Sequence, residues 1–214
     1  MIELIKTKYP YFPIFGISGF LIFFVISTTL YPGGSVNEMA SVGYSHFHNF
    51  ICDLMSLNLP EGTVNDARPV AIVAHFMLSF AMISFFYILP EIFKKQNRNT
   101  RIIRTSGMLS MVIFIFLFTD YHDLVVTISG VLTIFTFIPF FLELIDYEHK
   151  GLKALATICF ILSLMMFLSY ETKIGFYYAP FLQKITFLFD SAWIIWVSLI
   201  VASKRQVSVK SASL

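Results

Sequence analysis

Histidine and aspartate side chains near the ends of several apolar stretches of this sequence have the chemistry of a metal site. Segment 120–123 holds an imidazole between two carboxyl groups, and His75 lies early in an apolar stretch. Zinc accepts imidazole nitrogen and carboxylate oxygen as ligands, and it makes a bound water nucleophilic near neutral pH. Asp123 has a second interpretation, because aspartate at this position fits the N-cap of the next helix. The candidate metal ligands, with zinc as the metal, are His75, Asp120, His122 and Asp123.

A second set of polar residues could bind a ligand without a metal. Segment 45–57 has apolar side chains on one side of a helical wheel and polar ones on the other, which predicts a short amphipathic helix. Asp190 lies within the last apolar stretch, where an ionisable side chain needs a cation, a donor or a proton as its partner. Lys184 and His75 are the candidate partners. A purely structural role in capping and helix packing remains open for all of these residues. The candidate ligand-binding residues are His46, Asn49, Asp53, His75 and Asp190.

Composition indicates that membrane-spanning helices position these side chains. The 214 residues are 57% hydrophobic and only 13% charged, and the mean hydropathy is +0.77. Soluble domains contain about 25% charged residues, so lipid must solvate much of this chain. Open strand edges would leave backbone groups unpaired in lipid, which favours an all-α bundle. The formal net charge of +2 gives no reason to expect a nucleic-acid partner.

Six apolar stretches are long enough to span a membrane, since a hydrocarbon core of about 30 Å requires roughly 20 helical residues. They cover residues 14–30, 69–90, 102–118, 124–145, 152–168 and 181–202. No fixed-period repeat interrupts them, so residues 1–214 are predicted to form one polytopic helical domain. The amphipathic helix of segment 45–57 would lie in the loop after the first span.

The distribution of basic residues predicts the orientation of the spans. Lysine and arginine concentrate in cytoplasmic loops of membrane proteins, and here most of them alternate with the spans. The segments that this rule places in the cytoplasm contain Lys6, Lys8, Lys94, Lys95, Arg98, Arg101, Arg104, Lys150, Lys153, Lys204, Arg205 and Lys210. The remaining segments contain Arg68, Lys173 and Lys184. We therefore expect a cell-membrane protein with both termini in the cytoplasm and with its candidate site residues towards the outer face.

The loop between the first two spans resembles a known family. The residues that carry the resemblance are Tyr31-Pro32-Gly33-Gly34, Gly43-Tyr44-Ser45, Asn49-Phe50-Ile51-Cys52-Asp53-Leu54 and Gly62-Thr63-Val64-Asn65. They are similar to a loop in uncharacterised bacterial six-span membrane proteins, which are distantly similar to the FRAG/DRAM/Sfk membrane proteins. Some of the latter are linked to lipid-anchor remodelling or autophagy, so the resemblance implies a lipid-related role. Cys52 and Met55 depart from the serine and glycine expected there.

Two function classes follow from these observations. The first is a non-enzymatic membrane protein that binds a membrane lipid, a protein partner or a second copy of itself. The second is a zinc-dependent membrane hydrolase that acts on a lipid. The sequence lacks the H-E-x-x-H zinc signature and the G-x-S-x-G nucleophile motif. A transporter is less favoured, because no span is broken by paired glycine or proline residues.

Overall fold

The computed structural model describes residues 8–59 and 62–212, with side chains as far as residue 207. Lys6 of the basic pattern lies outside these residues. The described chain contains six long helices: α1, Phe12–Leu30; α2, Arg68–Ile88; α3, Arg98–Phe114; α4, His122–Ile145; α5, Lys150–Thr172; and α6, Ala179–Ala212. Single 3-10 turns precede α1 and α6 and follow α2 and α3: Tyr9–Tyr11, Phe176–Tyr178, Leu89–Ile92 and Ile115–Phe118.

The six helices, together with these turns, are long and apolar enough to cross a membrane. This confirms the all-α class and the number of predicted spans, and the chain is a multi-pass membrane protein. The largest difference concerns α6, which continues to Ala212 although the apolar stretch was expected to end near residue 202. Backbone hydrogen bonds within a helix do not depend on apolar side chains, so the helix continues into the polar C-terminal segment.

Local sequence signals account for several helix ends. Proline occupies the first turn of α1 and of α2, where its missing N–H breaks no helical hydrogen bond. Asn97 caps α3 through a capping box with Thr100. His149 caps α5, because its Nδ1 accepts the N–H of Leu152 at 3.2 Å. The capping role predicted for Asp123 is wrong: α4 begins at His122, and Asp123 lies in its first turn.

Helices α1 and α2 pack at very short distance because glycine lies at their crossing. A Cβ atom on Gly16 would be 2.7 Å from Cβ of Ala81 and 2.8 Å from the carbonyl oxygen of Met77. Ile17 and Ala81 are buried beside this contact. Small residues allow such close backbone approach in membrane helix pairs, where packing replaces the hydrophobic effect as the main attraction.

The two halves of the bundle differ in how they are filled. Large side chains fill the half that contains the turn after α2, and Trp193 packs there edge-on against Phe85 at 5.0 Å and Phe140 at 5.4 Å between ring centroids. We call the other extremity, with loop 31–67 and the turns between α3 and α4 and between α5 and α6, the loop end. The half of the bundle next to the loop end is hollow, as described below.

The end opposite the loop end is fastened by an ion pair. Arg205 on α6 donates from Nε and Nη2 to the two carboxylate oxygens of Glu91, each at 2.9 Å. The Tyr9 hydroxyl donates to the same carboxylate at 2.6 Å. Lys204 also donates to the carbonyl of Ile92 at 2.8 Å. The chain segments before α1, after α2 and at the end of α6 are therefore tied together at this end.

Loop 31–67 is less helical than its sequence pattern indicates. Its helical content over segment 45–57 is a single 3-10 turn, Cys52–Met55, rather than a continuous amphipathic helix. Side chains replace the helical backbone bonds: Asn49 accepts the N–H of Ser45 at 3.0 Å, and Asp53 accepts the N–H of Phe50 at 2.9 Å. Asparagine and aspartate compete with helix formation in this way.

Candidate ligand-binding cavity

A cavity of about 360 Å³ lies inside the bundle beneath loop 31–67. All six helices and the loop contribute to its wall. Each helix contributes the part that is nearest the loop end, for example residues 20–27 of α1, residues 71–78 of α2 and residues 183–190 of α6. Small-molecule sites in proteins measure about 300–1,000 Å³, so the cavity is large enough to hold a ligand.

Most of the cavity wall is apolar. Phenylalanine is the commonest residue in it, and the ring-bearing apolar residues are Phe20, Phe24, Phe50, Phe114, Phe137, Phe160, Phe167 and Phe187. Helices α4 and α5 meet through such rings, since Phe160 lies 5.0 Å from Phe137 and 4.8 Å from Phe141 between centroids. A wall of this kind favours an apolar occupant, at about 25 cal/mol for each Å² of apolar surface removed from water.

His122 borders the cavity near the loop end and belongs to a hydrogen-bonded group. Its Nδ1 lies 2.9 Å from Oδ1 of Asp123. The hydroxyl of Tyr170, on α5, donates to the same Asp123 oxygen at 2.5 Å and lies 3.3 Å from His122 Nδ1. Tyr170 also borders the cavity. The group therefore joins the first turn of α4 to the last turns of α5.

His75 also borders the cavity, but its ring holds two helices together. Its Nε2 lies 2.9 Å from the carbonyl oxygen of Phe114 and 3.2 Å from that of Ile115. These carbonyls lie where α3 gives way to a 3-10 turn. Both contacts require a proton on Nε2, because carbonyl oxygens only accept hydrogen bonds. That nitrogen is therefore not free to bind a metal while the contacts persist.

Asp190 borders the cavity about 16 Å along α6 from its first residue, at 1.5 Å per residue. The Ser163 hydroxyl donates to its Oδ2 at 3.5 Å, and the Cys159 side chain lies beside the carboxyl group. Neither partner proposed from the sequence reaches it by a hydrogen bond. His75 bonds to α3, and Lys184 donates to backbone carbonyls, one of them Pro180 at 3.0 Å.

Asn49 is completely buried in loop 31–67 and stabilises its fold. Its Nδ2 donates to the carbonyl of Gly34 at 2.7 Å and to Oδ2 of Asp53 at 3.1 Å. The carbonyl of Asn49 accepts from the Lys184 ammonium group, which ties the loop to α6. The side-chain amide of Asn49 and Oδ2 of Asp53 are thus bonded within the protein, and neither residue borders the cavity. Their predicted ligand-binding role stays a prediction.

Asn65 fastens the second part of the loop to α2. Its Nδ2 lies 3.2, 3.1 and 3.0 Å from the carbonyl oxygens of Asp53, Leu54 and Ser56, and its Oδ1 accepts the N–H of Ala67 at 3.1 Å. Loop residues around this network, among them Leu54, form part of the cavity wall. The asparagine networks therefore shape the cover of the cavity.

Burial in this loop changes the acidity of several side chains. Burial raises the pKa of Cys52 to about 12 and that of Tyr31 to about 12, and the Asp53 carboxylate raises both further. Burial also raises the pKa of Asp53 itself, although the Asn49 amide and the Phe50 N–H oppose this shift. Cys52 borders the cavity, but a thiol with so high a pKa is not a nucleophile at neutral pH.

The remaining candidates lie apart from the cavity. His46 is exposed and packs against Tyr44 at 5.2 Å between ring centroids, beside a separate cleft of about 250 Å³. Asp120 is exposed in the turn before α4. Within residues 8–59 and 62–212, no three His, Cys, Asp or Glu side chains form a group that could hold a metal ion. Of the four candidate zinc ligands, only the neighbouring His122 and Asp123 are in contact.

The structure thus brings together His75, His122 and Asp190 around one cavity and leaves the other candidates outside it. The fold and this cavity define a multi-pass helical membrane protein with a partly open, mainly apolar cavity between its helices. Comparison with protein-family models, with curated proteins and with solved structures finds no match. The resemblance to bacterial six-span proteins stays a prediction.

Proposed function

We propose that this protein binds a lipid-like molecule within the membrane, in the cavity beneath loop 31–67. The observation that carries the proposal is the cavity itself, with its volume of about 360 Å³ and its phenylalanine-rich wall. Most of the space between packed helices is filled, because protein interiors pack as densely as organic crystals. An apolar molecule that filled the cavity would restore dispersion contacts that the wall otherwise lacks.

The few polar groups of the wall would select among apolar molecules. His122 and Tyr170 lie near the loop end, and Asp190 lies deeper along α6. Polar groups of this kind fix orientation and specificity in mainly apolar pockets. We do not extend the proposal to zinc-dependent hydrolysis, because the candidate ligands His75 and His122 are not part of a common metal-binding group within the described residues.

We also propose that both termini face the cytoplasm of a cell membrane. An even number of spans puts the described ends of the chain on one side, and basic residues such as Lys94, Lys204 and Arg205 belong to that side. The positive-inside rule then orients loop 31–67 outwards. A C-terminal green fluorescent protein fusion should fluoresce and a C-terminal alkaline phosphatase fusion should be inactive; the reverse would contradict this orientation.

Binding of a long-chain alcohol tests the proposed function. Tritiated dodecanol would be added to the full chain in nanodiscs of zwitterionic phospholipid, and saturable binding would be measured by scintillation proximity. Leu164→Trp should abolish this binding, because Leu164 borders the cavity and the larger ring would fill it. Met165→Trp is the matched control, since the neighbouring Met165 is 51% exposed and does not border the cavity.

Two results would contradict the proposed function. One is the absence of saturable dodecanol binding to the unmodified protein. The other is an equal effect of Leu164→Trp and Met165→Trp, because binding would then occur at the lipid-facing surface rather than inside the bundle.

A further inference from the structure

Few acidic or basic side chains border the cavity. Among the described residues that border it, Asp190 is the single carboxylic acid, and none is lysine, arginine or glutamate. The two histidines of the wall already have protein partners: His75 bonds to carbonyls at the end of α3, and His122 bonds to Asp123. The nearest basic residue on α6, Lys184, borders the neighbouring cleft, which shares Phe20, Phe24 and Phe187 with the cavity, and it donates to backbone carbonyls. A ligand with a phosphate or carboxylate group would find no lysine or arginine in the wall and would meet Asp190, a group of like charge.

Asp190 lacks a charged partner within the described residues. Its hydrogen-bonding contacts there are the Cys159 thiol and the Ser163 hydroxyl, the latter at the long distance of 3.5 Å, and it takes part in no salt bridge. An ionised carboxylate inside a membrane protein is unfavourable unless a cation or donors accompany it, and without them the group takes up a proton. The described part of the chain supplies only these two weak donors, so a cationic ligand would provide the partner that the ionised form of Asp190 lacks.

Aromatic rings flank Asp190 along the cavity wall. Phe187 precedes it by three residues on α6, and Phe160 precedes its contact Ser163 by three residues on α5. Residues three apart share one face of a helix, and both rings border the cavity. Ring faces attract cations, and more strongly when the cation is desolvated.

We propose that the occupant of the cavity is a lipophilic amine, whose alkyl chain packs on the phenylalanine rings and whose ammonium group pairs with the Asp190 carboxylate. This inference rests on the proposed function and specifies its ligand class. An ammonium group supplies both the charge and the hydrogen-bond donors that Asp190 lacks. Long-chain amines of the membrane and amphiphilic amines from outside the cell share this chemistry.

A matched series of twelve-carbon ligands tests the inference. Saturable binding of tritiated dodecylamine, dodecanol and dodecanoic acid to the full chain in zwitterionic nanodiscs would be compared at pH 7. The amine should bind at least tenfold more tightly than the alcohol, and the acid should bind most weakly. Asp190→Asn should remove the preference for the amine and leave dodecanol binding intact, which also shows that the variant is folded.

Two further variants sharpen the comparison. Asp190→Glu should retain the preference for the amine, because it keeps a carboxylate at the same depth. Asp66→Asn is the control for removal of an acidic residue, since Asp66 is exposed and lies outside the cavity. It should bind all three ligands as the unmodified protein does.

The outcomes separate the inference from the proposed function. Equal binding of amine and alcohol, or an unchanged preference in Asp190→Asn, would overturn the inference and leave the cavity as a lipid site. Failure of all three ligands to bind would overturn both. Mass spectrometry of an organic extract of the purified protein then identifies the source: a bound long-chain amine indicates a membrane ligand. If the purified protein binds dodecylamine but its extract contains no amine, the ligand comes from outside the membrane.

Discussion

Replacement of Asn65 by alanine should loosen the cover of the cavity without unfolding the bundle. The Asn65 side chain is almost completely buried and bonds to the carbonyls of Asp53, Leu54 and Ser56 and to the N–H of Ala67. Alanine removes every one of these bonds. Among the described residues, the loop then keeps one side-chain bond to the start of α2, from Arg68 Nε to the carbonyl of Met55 at 3.0 Å, and the contacts between the long helices are unchanged.

The expected magnitude follows from these contacts. The amide has two N–H protons, which the three carbonyls share, and one oxygen that accepts from the backbone, so the change removes about three hydrogen bonds. At roughly 1 kcal/mol for each bond, local opening of the loop should become easier by about 3 kcal/mol. This corresponds to a population of the open loop about 100-fold larger.

Amide hydrogen exchange followed by mass spectrometry measures this change. Peptides that cover residues 50–59 should exchange about 100-fold faster in Asn65→Ala, and peptides from the centre of α2 should exchange at the original rate. Asn58→Ala is the control, because Asn58 is exposed and its side chain makes no hydrogen bond among the described residues. Unchanged exchange in the loop, or equal acceleration in loop and helix, would refute the reasoning.

Three other predictions concern packing and acidity. Gly16→Ala should lower the unfolding free energy in detergent by about 1–3 kcal/mol, because the new methyl group overlaps backbone atoms of α2. Gly19→Ala should lower it less, because the new Cβ meets a flexible methionine side chain. Equal losses in the two variants would contradict this prediction. His75→Ala should cost about 1–3 kcal/mol, since it leaves the part-buried carbonyls of Phe114 and Ile115 without the N–H of the His75 ring. Thermal unfolding in detergent measures the loss, which the glutamine variant should partly restore. In a Cys159→Ala background, alkylation of Cys52 by iodoacetamide should be slow at pH 7. It should rise about tenfold per pH unit up to pH 10, because a pKa of about 12 leaves little thiolate at neutral pH; a rate that levels off near pH 9 would show an ordinary thiol.

The sequence by itself determined the six spans, because lipid imposes a requirement that can be counted residue by residue. Each span needs roughly 20 apolar residues and must satisfy its backbone internally, so composition and length suffice to predict helices. Length and composition do not determine where each helix ends, because caps such as Asn97 depend on local side-chain geometry. The same limit explains the error over segment 45–57, where Asn49 and Asp53 bond to the backbone in place of a helical turn.

The cavity, by contrast, was decided by tertiary structure alone. Sequence reasoning identified His75, His122 and Asp190 as unusual, because ionisable groups near apolar stretches are rare whatever the packing. It could not find the phenylalanines of the wall, since a ring that lines a cavity and a ring that faces lipid have the same local sequence pattern. It also could not separate Asp190, which faces the cavity, from Asp53, whose carboxylate is bonded within the loop. That distinction depends on which helices meet and how closely, and backbone contacts such as the one at Gly16 set those distances only in the assembled bundle.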